Sequence, residues 1–189
     1  MPARYKKHTA APEETVSILQ FVFEIAGTVL AGFVVLLLVM TFFVRQVTVD
    51  GSSMADTLHD DERLLVSCCD YHPVCGDIVI VTHGSDLDEA IVKRVIAVGG
   101  QTLDIDFSTG EVIVDGVLLK ENYIRGTTRA LSTGIQFPMT IPQGYVFVMG
   151  DNREHSLDSR SEKVGLIPEE NIIGKAIFRW YPIDKIGSL

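Results

Sequence analysis

The sequence offers little with which to build a disulfide scaffold, a repeat array or a nucleic-acid binder. Cysteine occurs three times, at Cys68, Cys69 and Cys75, all in one short stretch. An odd count so placed does not describe a disulfide framework. Basic residues are the minority, with 16 Lys and Arg against 25 Asp and Glu and a formal net charge of -9. There is no long basic run and no arginine-rich face, which argues against nucleic acid as a partner. Tandem repeats and low-complexity tracts are absent, which removes solenoids and disordered tails. No long amphipathic helix pattern follows Val44, which removes a helical bundle. The 189 residues, 47% of them hydrophobic, suit one globular domain with an appendage.

The appendage is legible at once. Ile25 to Val44 reads IAGTVLAGFVVLLLVMTFFV and carries no charge. A run of about 20 apolar residues crosses a bilayer core of roughly 30 Å as a helix. A buried soluble helix of that length would show a polar stripe. A cleaved leader would have a shorter apolar region and a small-residue cleavage site behind it, whereas the chain continues VRQVTVDG. Arg4, Lys6 and Lys7 precede the run and Arg45 alone follows closely. Acidic residues weigh little in the positive-inside rule, so the bias sets the N-terminus in the cytoplasm. The expected organisation is a cytoplasmic tail over 1–24, a transmembrane helix over 25–44 and an extracytoplasmic domain over 45–189. That domain holds 13 Lys and Arg against 22 Asp and Glu, an acidity that plain solubility explains.

The exported part reads as mainly β. Strand character marks LLVSC at 64–68, DIVIV at 77–81, AIVKRVIAV at 90–98, EVIVDG at 111–116, YVFVM at 145–149 and IIGKAIFRW at 172–180. These runs are rich in Val and Ile and are separated by Gly, Asp and Pro. FSTGE at 107–111 predicts a hairpin turn between TLDID and VIVDG. Ala130 to Thr140 predicts an irregular connection. An antiparallel, coiled sheet is the simplest architecture for this pattern.

Three segments carry candidate chemistry. VDGSSMADTL, at 49–58, holds two adjacent serines behind a glycine, a common turn composition. If QVTVDGSS runs extended, Ser53 shares a face with Val47, Val49 and Gly51, and Ser52 lies with Thr48 and Asp50. A serine hydroxyl needs a base to attack. Of the five histidines, His8 precedes the span, His59 lies in a polar turn close to Ser53, and His155 beside GDNR is the serious candidate. Lys93 is the other candidate, a charge inside an apolar strand, on a face with Ile91, Val95 and Ala97. Burial lowers a lysine pKa, and a fall from ~10.4 to about 7.5 costs roughly 4 kcal/mol. An edge-strand lysine that blocks aggregation is the plain alternative. Arg94 cannot be a base, because guanidinium does not deprotonate. In GDNREHSLDSR, at 150–160, an extended second half places Ser156, Asp158 and Arg160 on one face. Ser156 could hydrogen-bond a lysine amine, and Asp158 could pair with Arg160. Alone, that segment reads as a polar surface loop.

Taken in order, GSSMADTL, CGDIVIV, IVKRVIAVGG, VIVDGVLLKENY, IPQGYVFVMGDNREHSLDSR and IIGKAIFRWYP resemble the boxes of bacterial type I signal peptidase, of the compact Gram-positive type. That family is a membrane-bound Ser-Lys endopeptidase. The resemblance implies Ser53 as nucleophile, Lys93 as general base, Ser156 as the hydroxyl that positions the lysine, and Asp158 with Arg160 as support. It implies no cofactor and no metal. The implied partners are signal peptides of exported preproteins, cut after small-x-small residues at the surface of the lipid bilayer. Three positions depart from the family pattern. Asp56 stands where proline is usual, Cys75 replaces the arginine before Gly-Asp-Ile, and Gly51 takes the place of a serine that lends Gram-negative relatives an oxyanion-hole hydroxyl. Here the hole would rest on main-chain N–H groups, that of Ser53 included.

Rival readings explain less. CCDYHPVC would bring Cys68, Cys69, His72 and Cys75 to a zinc ion, but neighbouring strand residues face opposite ways and structural zinc uses separated ligand pairs. A non-catalytic anchored β-domain leaves the serine and lysine boxes unexplained. A self-cleaving Ser-Lys repressor needs a DNA-binding head where the apolar run stands. The basic flank gives a direct test of orientation. Protease added to sealed, right-side-out membrane vesicles should digest the domain after Val44, and full protection until lysis would show the inverted topology.

Overall fold

The computed structural model describes residues 18–69, 71–82, 90–132 and 134–189. Arg4, Lys6, Lys7 and His8, used above, lie outside the described residues. Helix α1 (Ile18–Phe43) contains the apolar run. Its Ile18–Val39 stretch has a mean hydropathy of 2.5 and is not buried within the chain, and the helix is long and apolar enough to cross a membrane. Helical structure extends N-terminal to the uncharged run and includes Glu24, while Val44 already opens a strand.

The rest is mainly β. The strands are β1 (Val44–Thr48), β2 (Arg63–Ser67), β3 (Ile78–Val81), β4 (Ile91–Val98), β5 (Thr102–Asp106), β6 (Glu111–Val114), β7 (Val117–Leu118), β8 (Met139–Thr140), β9 (Tyr145–Met149), β10 (Ile167–Pro168), β11 (Ile172–Tyr181) and β12 (Gly187–Ser188). One sheet runs β1-β2-β11-β3-β4-β9-β10, with β12 on β11, and a smaller one runs β7-β6-β5-β8. All strand pairs are antiparallel. Every run read as a strand from the sequence is one, and Phe107–Gly110 forms the turn between β5 and β6. The described residues of 130–140 are irregular except for the short β8 at the end.

The large sheet is covered on both faces, which explains why β3 is apolar throughout and why burial along β4 is continuous rather than alternating. Ile78 and Ile80 of β3 pack with Val49, Met54, Leu58, Leu64, Val66 and Val92. Val79 and Val81, from the other face, pack with Val95, Val146, Val148, Val164 and Ile167. Phe147 and Met149 of β9 join the second sheet's Leu103, Ile105, Val112 and Val114. Strand β4 therefore lies in the interior of the sheet, between β3 and β9. An edge-strand role for Lys93 is excluded by this position. A register shift between Val95 and Ala97 also corrects the face assigned to Ala97, which packs with Ile96 rather than with Val95.

Backbone packing is tight where β11 crosses β2. A Cβ on Gly174 would lie 2.1 Å from the Ser67 carbonyl oxygen, a backbone atom that cannot swing away. Gly174→Ala should destabilise the domain by about 2 kcal/mol or more. Chemical denaturation followed by Trp180 fluorescence measures this, and a shift under ~0.5 kcal/mol would show that the sheet relaxes freely there.

Candidate active site

The serine segment does not continue β1. The strand ends at Thr48, and Gly51 adopts φ +83, a left-handed conformation that glycine reaches at little steric cost. This corrects the extended reading of Gly51 to Ser53: the chain turns, and Ser53 is placed by the turn rather than by strand alternation. The turn is pinned from several sides. Gly51 N–H donates to Asp60 Oδ1 at 2.7 Å, and Val49 N–H donates to the Glu62 carbonyl at 2.8 Å. Met54 and Leu58 are sunk in the core. Ser53 is left half-buried at a cleft of about 130 Å³ lined by Val47, Thr48, Asp50, Ala90, Ile91, Val92 and Lys93.

Lys93 Nζ donates to Ser53 Oγ at 2.8 Å and to the Val92 carbonyl at 3.1 Å. The lysine is only 3% exposed. It stands opposite Val79, on the strand face of Ile91 and Val95. Burial among these groups brings its pKa down to about 8. Asp158 and Asp151 pull it upwards and Arg160 pushes it further down, but desolvation outweighs each of them. His155 is exposed and makes no hydrogen bond to Ser53, and His59 lies against Glu62 at 3.6 Å.

The polar segment 150–161 is largely buried, not a surface loop. Asp158 and Arg160 have fully buried side chains and pair through two contacts of 2.8 Å each. Asp158 also accepts from Gly150 N–H at 3.0 Å, and Arg160 donates to the Arg129 carbonyl at 3.0 Å. The chain turns over 158–160, so Ser159 is buried as well and strict alternation fails. Ser156 Oγ is buried without a hydrogen-bond partner, and no bond joins it to Lys93. Gly150 lies between the two serines: a Cβ there would sit 2.2 Å from Ser156 Oγ and 2.4 Å from the Ser53 carbonyl oxygen. Only glycine lets the strand end approach the Ser53 turn this closely.

Several residues of this region went unread in the sequence. Asp151 seemed only part of a turn signal, yet it is fully buried and receives Arg94 through Nε at 2.8 Å and Nη2 at 2.6 Å. Thr57 Oγ1 donates to the same carboxylate at 2.6 Å, tying the serine turn to β4 and to the polar segment. Arg94 further donates to the Gly76 carbonyl at 2.7 Å and stacks on Tyr123 at 4.0 Å. Arg153 is buried against Glu121 and Thr128. An arginine inside an apolar strand demands a counterion, and that demand was the available signal. Among the departures, Asp56 is exposed and meets Arg125 at 3.4 Å, while Cys75 Sγ lies 3.0 Å from the Ile96 carbonyl.

A family model described as signal peptidase, peptidase S26, matches residues 22–181. A probable signal peptidase I-1 of Synechocystis sp. is 36% identical over 180 residues, covering 90% of this chain and 88% of that protein. Signal peptidase I of Bacillus licheniformis is 33% identical over 177 residues, covering 87% and 91% respectively. A solved signal peptidase I structure from Enterococcus faecalis V583 is 24% identical, with a TM-score of 0.43, covering 56% of this chain and 97% of that one.

Removing one partner of the buried Arg94–Asp151 pair strands the other charge. Asp151→Ala should cost roughly 3–5 kcal/mol of stability. Denaturant midpoints of the two proteins test this, and a difference below about 1 kcal/mol would show that the pair does not hold the site together.

Proposed function

On the premise that the chain belongs to the signal peptidase family, peptidase S26, we propose that it removes signal peptides from exported preproteins by a Ser-Lys mechanism. The observation that carries this reading is the 2.8 Å hydrogen bond from buried Lys93 Nζ to Ser53 Oγ. Ser53 is the nucleophile and Lys93 the base. Asp158 with Arg160 braces the polar segment, and Ser156, whose buried Oγ has no other partner among the described residues, is the hydroxyl assigned to position the lysine.

The reaction starts with neutral Lys93, which takes the Ser53 proton as Oγ attacks the scissile carbonyl. Negative charge collects on that oxygen, and main-chain N–H groups stabilise it. The C–N bond then breaks, and the lysine ammonium gives its proton to the leaving amine. Next, a water enters, gives a proton to the Lys93 amine, now neutral again, and attacks the acyl-enzyme carbonyl. Ser53 recovers its proton from Lys93 when the acyl C–O bond breaks, and the peptide leaves as a carboxylate. The extended end of the signal peptide lies along the strand edge at the cleft, held by main-chain hydrogen bonds. Val47, Ile91 and Val92 give the cleft shallow apolar walls that admit small side chains.

Anchoring by α1, with the N-terminus in the cytoplasm and 45–189 outside, confines enzyme and substrate to one bilayer surface. Confinement raises their effective concentration with no added contact.

Cleavage of a small-x-small peptide by protein in detergent tests the reading. Ser53→Ala and Lys93→Ala should be inactive. Lys93→Arg should be nearly as poor, because arginine keeps the charge but cannot accept the proton. Ser52→Ala and His155→Ala should retain most of the rate. Lys93 is charged below its pKa of about 8, so kcat/KM should rise about tenfold per pH unit below that value and level off above it. An active Ser53→Ala, or an active Lys93→Arg beside a dead His155→Ala, would overturn the mechanism.

A further inference from the structure

A glycine at position 51 has a consequence for the oxyanion hole. It supplies no side-chain donor, so the Ser53 N–H bears more of the developing charge and its direction matters more. That direction is set by the peptide unit joining Ser52 to Ser53. In a planar trans peptide the C=O and the following N–H point opposite ways. Holding the Ser52 carbonyl therefore aims the Ser53 N–H away from whatever holds it.

The holder is Asn152. Its Nδ2 donates to the Ser52 carbonyl at 3.0 Å, and its backbone N–H donates to the Ser53 carbonyl at 3.0 Å. One residue thus grips two successive peptide units of the nucleophile turn. The Ala55 N–H reaches the same Ser52 oxygen at 3.1 Å from within the turn. Among the described residues, the Ser53 N–H itself donates to no acceptor. It remains a free donor next to the attacking oxygen.

Asn152 is also well fixed. It is 4% exposed, and its flanks are the two buried pairs Arg94–Asp151 and Arg153–Glu121. Its Oδ1 is buried with no partner, so the amide is held through its donor side alone, and the acceptor on that side is the Ser52 carbonyl. We propose that Asn152 is a positioning residue for the oxyanion hole, aiming the Ser53 N–H at the oxygen of the tetrahedral intermediate. The proposal rests on Ser53 being the nucleophile.

Asn152→Ala and the near-isosteric Asn152→Leu both delete the side-chain donor and keep the backbone bond to Ser53. Complete loss of one oxyanion donor lowers kcat about 100- to 1,000-fold. Here the donor stays and loses its aim, while Ala55 still holds the carbonyl, so kcat should fall by roughly 10- to 100-fold. KM should stay within about twofold, because ground-state contacts are untouched. The midpoint of the pH profile should not move, since Lys93 keeps its surroundings. A peptide aldehyde bearing a small-x-small sequence is the direct probe. It adds to Ser53 Oγ and leaves its oxygen in the hole, so its affinity should fall by the same factor as kcat. The uncleaved peptide, measured in a Ser53→Ala background, should bind equally well with and without Asn152→Ala.

Unchanged kcat and aldehyde affinity in either folded variant would overturn the proposal. So would a rise in KM at constant kcat, which would make Asn152 a substrate-binding residue. Wild-type cleavage by the single Ser53→Ala variant would remove the nucleophile assignment beneath it. An inactive Ser53→Ala beside a fully active Asn152→Leu would sink this inference alone.

Discussion

The site depends on keeping water away from one amine. The base role proposed for Lys93 requires that burial disfavour its charged form, and burial is a property of the whole sheet rather than of the cleft. Strand β4 has neighbours on both edges and apolar packing on both faces. The same amine must still reach a half-exposed serine. The turn at Gly51 solves this by bringing Ser53 back onto the sheet at 2.8 Å from Nζ. A straight continuation of β1 would not fold the serine back in this way.

A buried amine tolerates charged neighbours only if those neighbours are already satisfied. Asp158 and Asp151 are the two carboxylates that raise the Lys93 pKa. Each is committed elsewhere, Asp158 to Arg160 and Gly150, and Asp151 to Arg94 and Thr57. A free carboxylate at either place would favour lysine's charged form and remove the base. The ion pairs therefore hold the loops in place and also limit the negative potential at the amine. A surface salt bridge would do neither, being screened by solvent.

Much of this was legible in the sequence, and the exceptions have physical causes. Strands β2, β3, β4, β6, β9 and β11 announced themselves because buried strands need Val and Ile in short runs between turn residues. The two-residue strands β7, β8, β10 and β12 did not, since two residues carry no period. Ser53 and Lys93 could be singled out by chemistry, and the order of the boxes gave their family. The strand-parity route to Ser53 does not hold, because Gly51 breaks the parity, and the hydrogen bond from Lys93 is the geometric ground for the proposal instead. Asp151, Asn152 and Thr57 were missed because their partners, Arg94, Ser52 and Asp151, lie on other elements. A contact such as Thr57 to Asp151 spans 94 positions and leaves no local pattern.

The buried Lys93 also carries a stability burden, and its sign can be worked out. Lys93 has a folded pKa of about 8 against 10.5 for the free side chain. Between those values the unfolded chain binds more protons than the folded one, so stability rises with pH across that window. Below about 8 the burden is present in full, roughly 3 kcal/mol at ~1.36 kcal/mol per unit. That is a large share of the ~5–15 kcal/mol that separates folded from unfolded domains. The domain can bear it because the buried ionic groups around the site are paired and the glycines at 150 and 174 let backbone pack against backbone. In the proposed mechanism, catalysis at neutral pH uses the minority of molecules in which Lys93 is already neutral. A deeper burial would enlarge that minority and the burden together. The depth at which β4 sits therefore sets a compromise between the supply of free amine and the stability of the sheet that supplies it.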